Sequence, residues 1–222
     1  MKSFNELKKS FKDAKLLNTA LTHRSWVNEH KNQNRSNERL EFLGDAILEY
    51  VVSDLIYVQF PEKEEGFLTA LRARIVNTES LSEASEKFAL GKFLLLSKGE
   101  EDTGGRSNHS LLADTLEAVI GAVYLDQGLV SCKNFIKEKI IPNLEEISKE
   151  PLKDPKSLFQ EYVQAKGLST PKYQVIKEVG PDHDKTFTLD VTVDGNTMGT
   201  GTGKSKSEAA QNAAKDALEK NL

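Results

Sequence analysis

The sequence has one cysteine, no apolar run long enough to cross a membrane, and no excess of positive charge. Cys132 alone cannot form an internal disulfide, and a buried small hydrophobic residue is the ordinary role for such a side chain. The absence of disulfides fits a reducing compartment, so we expect a cytoplasmic protein. The first nine residues carry lysines but no apolar segment, so we expect no signal peptide and no membrane association.

The net charge of the 222-residue chain is −4, which by itself argues against a nucleic-acid partner. The charge is unevenly distributed. Residues 1–155 contain 21 Lys and Arg against 25 Asp and Glu, whereas residues 156–222 contain 9 of each. The acidic excess therefore lies in the first part. Any contact with a polyanion in the second part must depend on where individual lysines lie.

A helix over residues 37–48 would separate acidic from apolar side chains. At about 100° per residue, Glu38, Glu41 and Asp45 fall on one side of this helix. The apolar residues of the opposite side are Leu40, Leu43, Ile47 and Val51. The pattern predicts a helix that packs one face on a core and presents a row of carboxylates on the other.

A second stretch, residues 112–123, repeats this design. Asp114 and Glu117 stand one turn apart, with Gly121 next on the same face. The apolar side is formed by Leu116, Val119, Ile120 and Val123. Because the remaining residues are mostly small or apolar, we expect both acids to lie near the core.

Two interpretations of these acidic rows remain open from the residues alone. An acidic pair on one helix is usually a solvated face. Carboxylates near a core, however, are seldom buried unless they are paired or bind a metal. If the two helices lie side by side, four or five carboxylates converge. Such a cluster of oxygen ligands suits Mg²⁺ or Mn²⁺ and the hydrolysis of phosphodiesters.

The stretch Asn-Glu-Arg-Leu-Glu-Phe-Leu-Gly-Asp-Ala at 37–46 resembles the signature of the ribonuclease III family. The similarity extends in the expected order over almost the whole chain, through 22–25, 68–73, 91–92, 99–101 and 112–118. It implies a metal-dependent endoribonuclease that hydrolyses double-stranded RNA and leaves 5′-phosphate and 3′-hydroxyl ends with short 3′ overhangs. Ribosomal RNA precursors and structured messenger RNAs are the substrates that the resemblance suggests.

The resemblance and the change of periodicity along the chain predict two domains. Residues 1–147 are expected to form an all-α catalytic and dimerisation domain, whose last helix covers about 130–140. Residues 99–107 are expected to be a loop. Residues 148–155, with two prolines, form the predicted linker. Residues 156–222 are expected to form an α-β-β-β-α double-stranded-RNA-binding domain.

Carried over position by position, the resemblance assigns roles to six acids. The metal ligands are Glu41, Asp45, Asp114 and Glu117, and the catalytic residues are Asp45, Glu117, Glu38 and Glu65. The implied cofactor is Mg²⁺, for which Mn²⁺ can substitute, and no organic cofactor is implied. Glu38 has an alternative interpretation as a structural acid at the helix start, with Arg39 as its counter-ion. The four histidines show no metal-ligand spacing, and His23 and His109 are expected to be structural.

Phe42 lies about 40° round the helix from Glu38, beside the acidic face. An apolar ring at that position would be exposed in a monomer, which favours a partner surface. The resemblance places it at the two-fold contact of a homodimer, in which each acidic cluster cuts one strand of a duplex. The alternative is a ring covered by a neighbouring loop.

Three elements of the C-terminal domain are expected to contact RNA. The residues that match the family's contacts are Gln160, Gln164, His183, Lys185, Lys204, Ser205 and Lys206. Such domains recognise the shape of about 16 base pairs of A-form RNA. This sequence has Ser207 and Ala210 at positions where the family commonly carries charge. We therefore expect weaker, more salt-sensitive binding by this domain alone.

Three other functions are less consistent with the sequence. A metal phosphodiesterase with other substrates would not explain the RNA-binding domain. A catalytically silent regulator that binds double-stranded RNA would be expected to lack Asp45 or Glu117, and both are present. A helical interaction module would leave the two acidic rows unexplained.

Overall fold

The structure, a computed structural model, describes residues 2–30, 35–141, 143–149, 152, 154–181 and 184–221. The chain divides into two compact units, Met1–Glu150 and Pro151–Leu222. The division falls inside the segment 148–155, of which residues 150, 151 and 153 lie outside the described ranges.

The regular structure of the first unit is helical, as the sequence predicts. Its α-helices are α1 (Lys2–Ser10), α2 (Ala14–Ala20), α3 (Arg24–Glu29), α4 (Glu38–Gln59), α5 (Glu65–Val76), α6 (Thr78–Lys87), α7 (Lys98–Asp102), α8 (His109–Phe135) and α9 (Leu144–Ile147). Single turns of 3₁₀-helix cover Leu90–Lys92 and Gly105–Ser107. An isolated parallel bridge joins Thr22 to Leu95.

The core of the first unit forms around the two long helices α4 and α8. Side chains of α4 that are fully buried include Leu48, Val51 and Val52, and α8 contributes Leu116 and Val119. Val51, Leu116 and Val119 belong to the predicted apolar faces. Leu48 and Val52 do not, because they follow Glu41 and Asp45 by seven residues and so lie on the side of α4 predicted to be acidic. Because each helix buries one face against the other elements, its acidic row is fixed in orientation by the packing of its apolar row.

Two local expectations for the first unit differ from the structure. The predicted loop at 99–107 contains α7, which starts because the Ser97 side chain accepts a hydrogen bond from the Glu100 amide. The last helix does not begin separately near residue 130. Instead α8 continues through a kink at Gly128, whose φ of 79° is left-handed, and a π-helical turn follows over Ile136–Ile140.

The second unit has the predicted order of one helix, three strands and one helix. Its elements are α10 (Pro155–Ala165), β1 (Lys172–Val179), β2 (Thr186–Val193), β3 (Asn196–Gly203) and α11 (Lys206–Asn221). The strands form an antiparallel sheet in the order β1-β2-β3. Asp194 and Gly195, with φ of 50° and 82°, make the tight β2–β3 turn that this dipeptide predicts. The helix α10 begins at Pro155, one residue inside the predicted linker.

One face of this sheet packs on α10 and α11. Its core contains Phe159, Val163 and Val191 together with alanines of α11. A Cβ atom on Gly201 would lie 2.0 Å from the Ala213 amide nitrogen, so β3 and α11 touch backbone to backbone. Small residues on both elements make this close contact possible, and the predicted fold class is confirmed for both units.

Among the described residues, no helix combines the length and the apolar character needed to span a bilayer.

Candidate active site

The start of α4 is fixed by hydrogen bonds to a preceding segment. The buried Asn37 donates its amide to the Thr22 carbonyl at 2.9 Å. The Asn37 carbonyl accepts from the amides of Leu40 and Glu41, which begins the helix. Thr22 is itself fully buried, and its hydroxyl donates to the Asn18 carbonyl. These bonds set the position of the first turn of α4, which carries Glu38 and Glu41.

The start of α8 is fixed by a cap and by an arginine. The Asn108 side chain accepts a hydrogen bond from the Leu111 amide at 3.2 Å. In the segment that leads into α8, Arg106 donates to the carbonyls of Gly91 and Leu94 and to the Glu101 carboxylate. The register of Asp114 and Glu117 on α8 therefore rests on contacts that are made before the helix begins.

The two helices cross where each carries a glycine. A Cβ atom on Gly44 would lie 1.8 Å from the Glu117 carbonyl oxygen, and one on Gly121 would lie 2.3 Å from the Leu40 carbonyl oxygen. Both distances are far below van der Waals contact, so the backbones approach as closely as glycine allows. Since Glu41 precedes Gly44 by three residues and Glu117 precedes Gly121 by four, this crossing brings the acidic rows together.

The close crossing produces a cluster of three carboxylates. Oxygen atoms of Glu41, Asp114 and Glu117 lie within 4.8 Å of one another. All three side chains are half-buried. Three hard oxygen donors at this separation match the requirements of Mg²⁺ or Mn²⁺. The acidic cluster, as we call Glu41, Asp114 and Glu117, is thus a candidate metal site.

The protonation of the acidic cluster shows how unfavourable its charge is. Burial raises the pKa of Glu117 to about 7, and the neighbouring carboxylates, first Asp45 and then Asp114, add to the rise. Burial also raises the pKa of Glu41 and that of Asp114. In both glutamates the like charges add to the effect of desolvation. A divalent cation would relieve both causes, so the cluster fits a metal on physical grounds as well as by its spacing.

Asp45 lies beside the acidic cluster without belonging to it. Its side chain is exposed, and its charge raises the pKa values of Glu41 and Glu117. Glu38 is one turn before Glu41 and has partners of its own. It forms an ion pair with Arg24 at 2.9 Å and accepts a hydrogen bond from Ser36 at 2.8 Å.

The partners of Glu38 lower the pKa of its carboxyl, the Ser36 hydroxyl most and Arg24 less. The counter-ion is Arg24 and not Arg39, which corrects that part of the structural alternative. Glu65 begins α5 and accepts a hydrogen bond from the Thr69 hydroxyl at 2.8 Å. Among the described residues, Glu65 is not one of the carboxylates that meet in the acidic cluster.

Comparison with known proteins identifies the family. A family model described as Ribonuclease-III-like matches residues 13–144, and one described as Double-stranded RNA binding motif matches residues 155–221. A protein named Ribonuclease 3 from Natranaerobius thermophilus is 49% identical over 94% of this chain and 90% of its own length. The chain belongs to the ribonuclease III family.

Further relatives support the same assignment. A Ribonuclease 3 from Bacillus licheniformis is 45% identical over 99% of this chain and 89% of its own length. A solved nuclease domain of ribonuclease III from Campylobacter jejuni has a TM-score of 0.58 and 41% identity. The match covers 64% of this chain and 96% of the solved domain. That domain is described as structurally flexible in a region involved in dimer formation. The endoribonuclease class and the family's dependence on metal are thereby confirmed for this chain.

The ribonuclease III unit exposes an aromatic ring next to the acidic face of α4. Phe42 is 79% exposed, which contradicts the alternative that the described part of the chain covers it. Tyr50 and Tyr57 are exposed on the same helix, 52% and 72% respectively. At 100° per residue the three rings fall within about 80° of one another. They form an exposed aromatic stripe along α4.

The double-stranded-RNA-binding unit presents its predicted contacts at its surface. Gln160 and Gln164 are exposed on α10, about 100° round the helix from the buried Phe159 and Val163 that precede them. Ser205 caps α11 because its hydroxyl oxygen accepts a hydrogen bond from the Glu208 amide. Lysines 185, 204 and 206 each lie within 4.0 Å of a carboxylate of the same unit. His183 lies outside the described residues.

Sequence reasoning missed several residues that shape the active site of this ribonuclease III chain. Gly44 and Gly121 set the distance between the helices. His23, expected to be only structural, caps α3, and its charge opposes the burial that raises the pKa of Asp114. Arg24 neutralises Glu38. A usable signal was present for the glycines alone: each follows an acid by one turn on the acidic face of its helix.

Proposed function

We propose that the chain hydrolyses phosphodiester bonds in double-stranded RNA with a divalent cation held by Glu41, Asp114 and Glu117. The observation that carries the proposal is the convergence of these three carboxylates within 4.8 Å at a crossing of two helices. Their raised pKa values argue that the arrangement did not arise for stability. The family membership supplies the reaction class, and the donor set supplies the kind of cation.

Mg²⁺ is the proposed cation, and Mn²⁺ is its proposed substitute, because both prefer carboxylate oxygens. When bound, such a cation lowers the pKa of water and neutralises charge on the scissile phosphate. The protein's part is to hold three ionised carboxylates at a fixed separation. The capped starts of α4 and α8 and the glycine contact between them provide that rigidity.

The surrounding acids are proposed to position the nucleophile and the cleft. Asp45 is exposed beside Glu117, where its carboxylate can accept a hydrogen bond from the attacking water and take part in holding the metal. Glu38, held by Arg24 and Ser36, lies one turn away on the same face of α4. Glu65 is proposed as a weaker contributor, since its described hydrogen bond is to Thr69 within α5.

The second unit is proposed to bring the duplex to the active site. Gln160 and Gln164 on α10 are the proposed minor-groove contacts, and the β1–β2 connection with His183 is a second one. Lys185, Lys204, Ser205 and Lys206 are proposed to hold phosphates across the major groove. An α11 N-terminus next to lysines is suited to this role, because amides and ammonium groups both favour an anion.

A homodimer is the proposed assembly, through the aromatic stripe of Phe42, Tyr50 and Tyr57. Three exposed rings on one helix face are unusual for a surface that meets only water. In a two-fold dimer each acidic cluster cuts one strand. The products are then duplexes with 5′-phosphates, 3′-hydroxyls and short 3′ overhangs. Ribosomal RNA precursors and structured messenger RNAs in the cytoplasm are the proposed targets.

The test is cleavage of a long perfect RNA duplex by the full chain. With Mg²⁺ we expect short duplex products that carry 5′-phosphates, and with Ca²⁺ we expect binding without cleavage. Glu117→Gln should bind the duplex in Mg²⁺ without cutting it. Binding without cleavage by the unmodified chain in Mg²⁺ and in Mn²⁺ would overturn the proposal and favour a silent regulator.

The dimer is tested by light scattering on the same preparations. The unmodified chain should have about twice the mass of one chain, and Phe42→Ala should shift the equilibrium towards monomer. A monomeric unmodified chain with full activity would contradict the two-fold arrangement.

A further inference from the structure

The lysines proposed to hold phosphates are already engaged by carboxylates of their own unit. The Lys204 ammonium lies 2.6 Å from an oxygen of Asp184. The ammonium groups of Lys206 and Lys185 lie 3.5 Å and 4.0 Å from the two oxygens of Glu178. Each of the three lysines therefore has a carboxylate where an RNA phosphate is expected.

Glu178 has the more central position of the two acids. It is the second-last residue of β1, two residues before Gly180. It pairs across the sheet with Phe187 of β2. Lys206 also lies over the Phe187 ring, 5.5 Å from its centroid. The Lys206 side chain is thus held between an aromatic face and a carboxylate, and the same carboxylate reaches Lys185.

A third carboxylate occupies a backbone donor at the start of α11. The Glu208 side chain accepts from the Lys204 amide at 2.7 Å, and the Glu208 amide donates to the Ser205 hydroxyl oxygen at 3.1 Å. This reciprocal arrangement is a helix cap and has its own structural role. It nevertheless means that the amide and the ammonium group of Lys204 both face carboxylates in the RNA-free chain.

We propose that Glu178 and Asp184 act as internal substitutes for phosphate, which compete with RNA for the lysines of this surface and set its affinity. The inference rests on the proposed function, which assigns Lys185, Lys204 and Lys206 to phosphate binding. Glu178 and Asp184 reduce the combined charge of the three lysines from +3 to +1, and the Glu208 carboxylate at the Lys204 amide adds a further negative charge. The side chains of Lys204 and Asp184 are 65% and 64% exposed, so their ion pair is weak enough for a phosphate to displace it.

Displacement does not remove the carboxylates from the surface. Glu178 stays on its strand after a lysine has turned to a phosphate, and its charge then repels the same phosphate at a distance shorter than the Debye length. Its net effect is to lower the affinity and to reduce the number of phosphates that the surface neutralises. The affinity for RNA should accordingly fall less steeply with salt than it would without Glu178. The sequence had suggested the opposite, a more salt-sensitive affinity, because Ser207 and Ala210 replace charged residues.

The experiment compares Glu178→Gln with its parent, the full chain that carries Glu117→Gln so that RNA is bound but not cut. Binding to a 30-base-pair RNA duplex is measured by fluorescence anisotropy in Mg²⁺ at KCl concentrations from 50 to 300 mM. Glu178→Gln should bind about threefold to fivefold more tightly near 150 mM. The slope of log K against log salt should steepen by up to about 0.9, the value for one more neutralised phosphate.

Two variants separate a local effect from a general one. Glu219→Gln makes the same change in net charge near the other end of α11, about 20 Å along the helix from Lys206, and should leave affinity and slope unchanged. Glu178→Asp keeps the charge and should bind like the parent. Asp184→Asn should tighten binding as well, by less than Glu178→Gln because Asp184 faces one lysine.

The outcomes are distinct. Binding by the parent with equal or weaker binding by Glu178→Gln would overturn this inference and leave the proposed function standing. An equal gain from Glu219→Gln would also overturn it, because the effect would then be one of net charge alone. Absence of duplex binding in every variant at 50 mM KCl would overturn both the inference and the proposed function.

Discussion

The two units of this ribonuclease III chain arrange charge in opposite ways. In the first unit Glu41, Asp114 and Glu117 meet within 4.8 Å, and burial together with like charge raises their pKa values. In the second unit Lys204 and Lys206 lie against Asp184 and Glu178. A bound cation would offset the clustered negative charge of the first unit. In the second unit the lysines already face carboxylates, so an RNA phosphate must compete with those carboxylates.

The comparison predicts that removal of one charge has very different consequences in the two units. Glu117→Gln keeps the shape of the side chain but removes a proposed metal ligand, and we expect cleavage to fall by at least about 1,000-fold. Lys206→Gln removes one of several proposed phosphate contacts, and we expect RNA affinity to fall by only about threefold to tenfold. Single-turnover cleavage and anisotropy measure the two effects.

The contrast fails if Glu117→Gln retains more than a tenth of the activity, or if Lys206→Gln abolishes binding. Glu219→Gln makes the same change in net charge as Glu117→Gln and serves as its matched control. It removes a charge from an exposed position near the end of α11, about 20 Å along that helix from Lys206. It should change cleavage and binding by less than about twofold.

The next effect concerns the backbone contact that forms the acidic cluster. Gly44→Ala places a methyl group 1.8 Å from the Glu117 carbonyl oxygen, so α4 and α8 must separate. We expect a loss of about 2–3 kcal/mol in the free energy of unfolding, a typical cost of forced overpacking. Mg²⁺ should also bind more weakly, because the distance between Glu41 and Glu117 grows.

Gly66→Ala is the control for this substitution. Gly66 is also helical, but a Cβ there meets nothing within 4 Å, so the change should be neutral or stabilise by up to about 1 kcal/mol. Thermal or urea unfolding of the metal-free chains measures both variants. Equal stability of Gly44→Ala and Gly66→Ala would show that the helices cross with more room than the structure gives them.

The raised pKa of Glu117 predicts a pH dependence of stability in the absence of metal. The unfolded carboxyl ionises near its ordinary pKa of 4.5 and the folded one at about 7. Between these values the unfolded state binds fewer protons, so stability falls as pH rises through this window. The full penalty, about 1–2 kcal/mol once solvent screening is allowed for, is present above pH 7.

Glu117→Gln removes this penalty, so in EDTA the variant should be more stable than the unmodified chain at pH 8 and no more stable at pH 4. Millimolar Mg²⁺ should reverse the order at pH 8, because only the unmodified chain keeps all three ligands. Thermal unfolding in each buffer tests both statements. A difference between the two proteins that does not vary with pH would show that Glu117 ionises normally in the folded chain.

The sequence was sufficient for the fold class and for the two acidic rows. The spacing of one turn between Glu38 and Glu41, and between Asp114 and Glu117, places each pair of acids on one side of its helix. The proposed ligand set came from the family resemblance and included Asp45, whereas the structure brings together three carboxylates, Glu41, Asp114 and Glu117, and not the four or five expected. What the sequence did not supply was the distance between the helices. That distance depends on Gly44 and Gly121 meeting at one crossing, a contact between residues 77 positions apart.

The same limit applies to the charges around the sites. The partners of His23, Arg24 and Glu178 are distant in sequence or belong to another element of the same unit. No local sequence pattern therefore predicts these interactions. Arg39, adjacent to Glu38, was the natural counter-ion by sequence, whereas the chain uses Arg24 from α3. Local chemistry identifies which groups need partners, and only the tertiary fold decides which partners they obtain.

Glu38 allows the smallest and sharpest test of the contrast, because it is an acid of the first unit that is paired like the charges of the second. Arg24 and Ser36 satisfy its carboxylate and lower its pKa, and its oxygens do not join the acidic cluster. If a carboxylate that is already paired only adjusts the rate, whereas an unpaired one is essential for cleavage, Glu38→Gln should reduce cleavage by only about threefold to tenfold. Arg24→Gln should have an effect of similar size. A loss from Glu38→Gln as large as that from Glu117→Gln would place Glu38 among the metal-binding or catalytic groups, and pairing would then be no guide to role.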